Sequence, residues 1–220
     1  MSAWQAVLFD CDGVLVDSEP IVNQVLFEAL SELGWGMDLE AVVARYTGHT
    51  IRDAVARDAH DRGQRLPADW LDRFMAKRNQ ALQASLRMVP GADVAALGAH
   101  RLMQGRIACA SGADRYKIEM QLALVGLLSP AFEGRVFSGH EVARTKPAPD
   151  VYLAAASHLD VPPSRCLVIE DSAVGARAGL AAGATVWGYD PTGQGLAFED
   201  LGVHRVFQNM ADLPQLVAAG

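Results

Sequence analysis

Cysteine is scarce in this sequence: three in 220 residues, Cys11, Cys109 and Cys166, far apart and each inside an apolar run. No Cys-x-x-Cys and no Cys/His ligand spacing occurs, which argues against a disulfide scaffold or a thiolate metal centre and leads us to expect buried, reduced thiols in a cytoplasmic protein. No apolar run approaches the ~18–20 residues that cross a bilayer. The opening Met-Ser-Ala-Trp-Gln has neither the basic nor the apolar region of a secretory signal. A soluble chain with no membrane partner is therefore expected. Basic residues are outnumbered, 19 against 26 acidic for a net charge of −7, and they are scattered. No stretch gathers the positive potential that a phosphodiester backbone requires, so no nucleic-acid partner is expected. There is no Gly-Lys-Ser/Thr phosphate loop, and Gly175-Ala176-Arg177-Ala178-Gly179 is spaced for close helix packing rather than as a dinucleotide fingerprint. ATP and NAD are not expected, and internal repeats and low-complexity segments are lacking.

What is present is the material of a folded core. Half the residues are hydrophobic and a fifth are charged, a balance that disfavours disorder. At this length a chain buries roughly 70–75% of its unfolded surface without needing disulfides or a structural metal. Short apolar runs at Ala6-Val7-Leu8-Phe9, Arg106–Ala110, Arg135–Phe137, Cys166–Ile169 and Ala184–Trp187 read as buried strands, with an edge strand near His204–Phe207. Helical periods over about 114–127, 149–159, 173–182 and 210–218 alternate with them. This alternation predicts an α/β fold: a doubly wound, mainly parallel, Rossmann-like sheet.

One interval breaks the rhythm. A βαβ unit needs roughly 30 residues, yet the first strand ends near Phe9 and the next begins near Arg106. The excess is helical in pattern: Val22, Val25, Leu26, Ala29 and Leu33 share one face, as do Leu71, Phe74, Met75, Arg78 and Leu82. The expected organisation is an α/β core of residues 1–16 and 87–220, with an inserted helical cap over 17–86. The turn signal Val89-Pro90-Gly91 marks the return to the core.

The candidate chemistry lies at strand ends. Asp10 and Asp12 follow the first strand, and side chains two apart in extended backbone point the same way. They sit at the edge where ligands bind in open α/β sheets. Asp17 and Ser18 are read as caps of the following helix. Ser111 follows the second strand, Lys146 lies in Thr145-Lys146-Pro147-Ala148-Pro149-Asp150 ahead of a helix, and Glu170-Asp171 follows the strand Cys166–Ile169. Each has a plain structural explanation alone, Asp12-Gly13 and Ser111-Gly112 as turns, Lys146 as a solvated charge, Asp171-Ser172 as a cap. Their coincidence at strand ends favours a site. Asp10 and Asp171 suit a hard cation such as Mg²⁺ shared with substrate phosphate oxygens. An Asp can attack phosphorus, a second can serve as acid and base, and Lys146 with the Ser111 hydroxyl can receive phosphoryl charge.

The ordered set Asp10-Cys11-Asp12-Gly13-Val14-Leu15-Val16-Asp17-Ser18-Glu19, Ala110-Ser111, Lys146-Pro147-Ala148-Pro149-Asp150 and Glu170-Asp171-Ser172-Ala173-Val174-Gly175 closely resembles the haloacid dehalogenase superfamily. The helical insertion resembles its first cap type, in the branch of sugar-phosphate phosphatases and β-phosphoglucomutase. The resemblance implies Asp10 as nucleophile and Asp12 as acid/base, with Ser111 and Lys146 binding the phosphoryl group. It implies Mg²⁺ held by Asp10, the Asp12 backbone carbonyl and Asp171, with Glu170 at or beside the metal. The second Asp disfavours the dehalogenating members, and Lys77, the only lysine of the cap, sits in a Lys-Arg-Asn stretch that more resembles a phosphosugar cap, which leaves phosphonate cleavage a remote alternative.

Val22 stands where β-phosphoglucomutase has a histidine and Thr47 where it has a lysine, so a phosphatase is expected ahead of a phosphomutase. Tyr46–Asp53 resembles the family's substrate-specificity loop. Gly48, His49, Arg52, Lys77, Arg78 and Arg115 are the candidate substrate contacts, with Arg45 also on the cap, and Arg115 or Lys117 available for a distal phosphate contact. The expected substrate is a small phosphorylated sugar, sugar acid or organic acid, acted on by a monomer or homodimer. A receiver-like phospho-binding module is the reading from another class, against which the length and the helical insertion speak.

Overall fold

Uninterrupted aliphatic and β-branched runs are the pattern of strands covered on both faces, and the chain folds them in that way. The computed structural model describes residues 4–46 and 50–220. In chain order it has β1 (Ala6–Phe9), α1 (Glu19–Glu32), α2 (Leu39–Tyr46), α3 (Ile51–Asp61), α4 (Trp70–Ser85), α5 (Ala92–Leu102), β2 (Ile107–Ser111), α6 (Arg115–Leu124), β3 (Val136–Ser138), α7 (Asp150–His158), β4 (Cys166–Glu170), α8 (Ala173–Ala181), β5 (Thr185–Tyr189), β6 (Arg205–Phe207) and α9 (Leu213–Ala219). A short π-helical segment covers Leu128–Phe132. None of the described helices is long and apolar enough to cross a membrane.

The chain divides into two compact units, Met1–Asp17 with Arg87–Gly220, and Ser18–Leu86. In the first, the strands form one parallel sheet in the order β3-β2-β1-β4-β5-β6. The chain moves outward from β1 through β2 and β3, then returns to β4 on the other side. This reversal creates a crevice at the C-terminal ends of the central strands. Phe9 is in register with Cys109 of β2 and Ile169 of β4, which sets Ser111 and Glu170 at the same edge as Asp10. On one face of the sheet Ala6, Leu8, Ala108, Ala110, Val168 and Val186 pack against α7 and α8. On the other, Phe9 meets Phe132 edge-on at 5.9 Å. Helix α8 lies tight on the sheet because Gly179 has no side chain: a Cβ there would stand 2.8 Å from Val186 and 3.1 Å from Val168.

The second unit is helical. Leu26, Leu30, Val42, Val55, Trp70 and Phe74 form its centre, with Trp70 and Phe74 stacked at 5.6 Å. The buried face of α1 is Asn23, Val25, Leu26, Ala29 and Leu30, so Val22 and Leu33 of the expected stripe are only half-buried. In α4 the buried residues are Trp70, Phe74, Arg78 and Leu82, with Leu71 and Met75 at the margin.

Several expectations are corrected. Asp17 belongs with the α/β unit, its amide donating to the Arg87 carbonyl at 2.9 Å. Ser18 occupies the N-cap position of α1 but its side chain makes no capping bond. Its backbone is already helical (φ −96°, ψ −23°) rather than extended, and Pro20 in the first turn has no amide to offer. Arg106, Arg135 and Ala184 precede their strands, which instead run on to Ser111, Ser138 and Tyr189. Helix α5 lies in a stretch for which no helix is expected from the sequence.

Candidate active site

The strand ends gather charge. The Asp10 amide donates to the Ile169 carbonyl at 3.0 Å, tying the residue after β1 to β4. The chain then turns sharply: Leu15 and Val16 amides donate to the Cys11 carbonyl at 2.9 and 3.1 Å, and the Gly13 amide to the Val16 carbonyl at 2.8 Å. Gly13 has φ +76°, and a Cβ on it would lie 1.8 Å from Asp171 Oδ2. Glycine is therefore required twice here, for the left-handed backbone and for the approach of the Asp171 carboxylate.

Lys146 lies between two carboxylates. Its Nζ donates to Asp10 Oδ1 at 2.8 Å and to Glu170 Oε1 at 2.7 Å, and it rests over the Tyr152 ring at 4.7 Å. Tyr152 donates its hydroxyl to Glu170 Oε1 at 2.6 Å, while the Ser172 hydroxyl and amide donate to Oε2 at 3.0 and 3.3 Å. Glu170 is completely buried, and such a charge is tolerable only with donors on both oxygens. Gly175 admits it, since a Cβ there would be 1.7 Å from Oε1. The Ser172 hydroxyl also accepts from the Gly175 amide at 3.1 Å, capping α8.

Burial pushes the Asp10 carboxyl up to about 7; Lys146 opposes this, and Glu170 and Asp12 add to it. For Lys146, burial works against the charge, but Asp10 and Glu170 outweigh it and hold the ammonium well above its ordinary value. Burial, with Glu170 adding to it, keeps Tyr152 a phenol and so a donor.

Asp12 has its own partners. Both its oxygens accept from Lys117 Nζ at 2.8 Å, and Oδ1 also accepts from Gln121 Nε2 at 2.9 Å. Ser111 is buried at the end of β2, its hydroxyl accepting from the Ala113 amide at 3.2 Å. Asp10, Glu170 and Asp171 each offer a carboxylate oxygen within 4.8 Å of the others. Hard oxygen donors of this number suit a divalent cation such as Mg²⁺. Glu170 already has both oxygens occupied by protein donors.

The structure thus brings Asp10, Lys146, Glu170 and Asp171 together, with Asp12 and Ser111 at the same sheet edge. It does not make Arg115 available: its guanidinium pairs with Glu141 and, at 3.3 Å, with Glu119. Lys117 is engaged by Asp12 rather than left over for a phosphate. In the helical unit, Lys77 pairs with Glu32 at 2.6 Å. Arg78 is buried and donates to Asn79 at 3.0 and 2.8 Å. Arg52 lines a shallow pocket with Leu66, Trp70 and Leu71. Arg45 is bound to Asp58. Gly48 and His49 lie outside the described residues. Tyr152 and Gln121 enter only through the structure, as do the bonds of Ser172 to Glu170 and of Lys117 to Asp12. Tyr152 had one signal in the sequence, an aromatic in the first turn after Lys146-Pro147-Ala148-Pro149-Asp150.

Comparison with known proteins extends this picture. The sequence pattern of the haloacid dehalogenase-like hydrolases matches residues 4–183. The chain is 27% identical over 219 residues to 6-phosphogluconate phosphatase of Escherichia coli (strain K12), covering 98% of this chain and 96% of that protein. It is 31% identical over 183 residues to fructose-1-phosphate phosphatase of the same organism, covering 82% and 93%. A solved hydrolase of the family from Deinococcus radiodurans R1, with bound phosphate and sodium, superposes with a TM-score of 0.78 at 36% identity, covering 100% of this chain and 97% of that one.

Proposed function

We propose, since the chain belongs to the haloacid dehalogenase-like hydrolase family and is a hydrolase of its phosphatase type, that it hydrolyses the monoester of a small phosphorylated sugar or sugar acid through an aspartyl-phosphate on Asp10. The observation that carries this is the Lys146 ammonium held between Asp10 and Glu170: a buried carboxylate beside a fixed cation, at the sheet edge where ligands bind, is suited to meet a phosphoryl group. The names of the relatives, phosphatases of 6-phosphogluconate and of fructose 1-phosphate, support the substrate class.

In this reading Asp10 attacks phosphorus, the bond from phosphorus to the sugar oxygen breaks, and that oxygen takes a proton from Asp12. Water then attacks the phosphorus of the aspartyl-phosphate as Asp12 takes its proton back. The bond to Asp10 breaks, and inorganic phosphate leaves. Lys146 and the Ser111 hydroxyl bind phosphoryl oxygens. Tyr152 and Ser172 hold Glu170, and through it the ammonium. Asp10, Asp171 and the Asp12 carbonyl would hold Mg²⁺, with Glu170 beside it, and the ion when bound supplies charge neutralisation for the phosphoryl oxygens. The free, buried cysteines support a workplace that keeps thiols reduced, the cytoplasm.

The test is phosphate release from hexose phosphates, 6-phosphogluconate and phosphoglycolate, by wild type and Asp10→Asn, with and without chelator. Release lost in both the variant and the chelated enzyme is the expected result. Release that survives Asp10→Asn overturns the nucleophile. Interconversion of glucose 1- and 6-phosphates without release would make the protein a mutase.

A further inference from the structure

Lys117 and Gln121 stand one turn apart on α6, whose start is fixed by the Asp114 side chain accepting from the Lys117 amide at 2.9 Å. Both are buried, Gln121 completely and Lys117 to 7% exposure, although neither belongs to the apolar core. Each polar atom of Gln121 is used: Nε2 donates to Asp12, and Oε1 accepts from the Cys11 thiol at 3.8 Å. The carboxylate settles which way the amide faces, because an ionised Asp12 only accepts and must meet Nε2, which leaves Oε1 toward the thiol. Lys117 Nζ is equidistant, 2.8 Å, from both Asp12 oxygens. Three donor contacts thus act on one carboxylate, whose backbone lies in the turn after β1 and is bridged to Val16. Burying an ammonium costs several kcal/mol without a partner, so this lysine is placed for Asp12 rather than for solvent.

We propose that Lys117, with Gln121, is the positioning residue of Asp12. The pair fixes the rotamer from which Asp12 delivers a proton to the leaving oxygen and takes one from water. The inference rests on the acid/base reading of Asp12 given above. It assigns Lys117 to the carboxylate and not to a substrate phosphate.

The test uses Lys117→Met and Gln121→Leu with two substrates: a hexose phosphate, whose alkoxide leaves only with a proton, and p-nitrophenyl phosphate, whose phenolate leaves without one. With the hexose phosphate, Lys117→Met is expected to lower kcat about 10- to 100-fold, up to the lower end of what losing the acid/base itself would cost, with KM moving less than about threefold. With p-nitrophenyl phosphate, a burst of nitrophenol close to one equivalent is expected, followed by slow turnover, because only attack of water still needs Asp12. Added to Asp12→Asn, Lys117→Met should change kcat less than about twofold, the signature of residues acting as a unit.

Equal losses on both substrates with no burst, or full additivity with Asp12→Asn, would overturn the proposal. So would a rise in KM alone, which returns Lys117 to the substrate. If Lys117→Met does not fold, Gln121→Leu keeps the ion pair and is judged by the same burst and additivity, with a smaller loss. A wild type that releases phosphate from neither substrate fails the phosphatase reading and this inference together. A wild type that does, and that loses it in Asp10→Asn, isolates failure to Lys117.

Discussion

The cations at the strand ends and those of the helical unit are treated in opposite ways. In the α/β unit, Lys146 and Lys117 are nearly buried and each donates to a carboxylate at the strand ends. In the helical unit, Lys77 and Arg45 are about half exposed and paired with neighbours on adjoining helices. Arg78 is buried there and donates to the side-chain oxygen of its neighbour Asn79. An exposed ion pair is screened by water and contributes little, whereas a buried one must have its geometry satisfied or the fold suffers. Burial with a partner, not charge alone, therefore separates a cation built into a site from one that decorates a helix.

Four substitutions test that contrast. The largest effect is expected for Lys146→Met, which strands Asp10 and the fully buried Glu170 without their shared cation. Phosphate release should fall by about 10²–10³ or more, and unfolding stability by about 3–5 kcal/mol, read by calorimetry alongside the assay; a stable, active variant would refute the contrast. Gly175→Ala comes next. Its Cβ has no room beside Glu170 Oε1, so the carboxylate must move, with about 1–3 kcal/mol lost on overpacking and reduced kcat at nearly unchanged KM.

Asp58→Asn probes the helical unit. The Arg45 hydrogen bonds, with the Tyr46 hydroxyl at 2.6 Å assisting, hold the Asp58 carboxyl below its ordinary value. A depressed carboxyl contributes stability that is present above the unfolded value of about 3.9 and is lost as pH falls through the folded one. The variant should therefore have a lower urea midpoint than wild type at neutral pH, the gap closing in strong acid. A gap that persists there would mean packing, not charge, is responsible. The smallest effect is expected for Lys77→Ala: an unchanged melting temperature, because its partner Glu32 is open to water. A large shift would erase the distinction between the units.

The α/β sheet was legible because doubly covered strands carry their pattern within a few residues: every apolar run named above lies in or within a residue of a strand. Helix α5 was not. Its buried side is Ala92, Ala95, Ala96 and Ala99 with Gly98, a helical spacing carried by residues too small to contrast with their surroundings. At the site, Asp10, Asp12, Ser111, Glu170 and Asp171 could be singled out because each ends or follows a strand, and Lys146 because it lies in the loop ahead of a helix. Lys117 and Gln121 lie in a helical stretch like any other, and they reach Asp12 across 105 and 109 residues of chain. No local pattern encodes that contact. The basic residues of 18–86 carry no such local mark either, since the groups they meet, Glu32, Asp58 and Asn79, are equally ordinary residues.

The position of β1 has a dynamic consequence. It is hydrogen-bonded to β2 on one side and β4 on the other, so its amides can exchange with solvent only when the middle of the sheet comes apart. Such central strands open at free energies near that of global unfolding, while edges and loops open far more readily. Asp10, tethered one residue beyond, hangs from some of the slowest-exchanging backbone in the molecule. Surface segments can breathe through every catalytic cycle without displacing it.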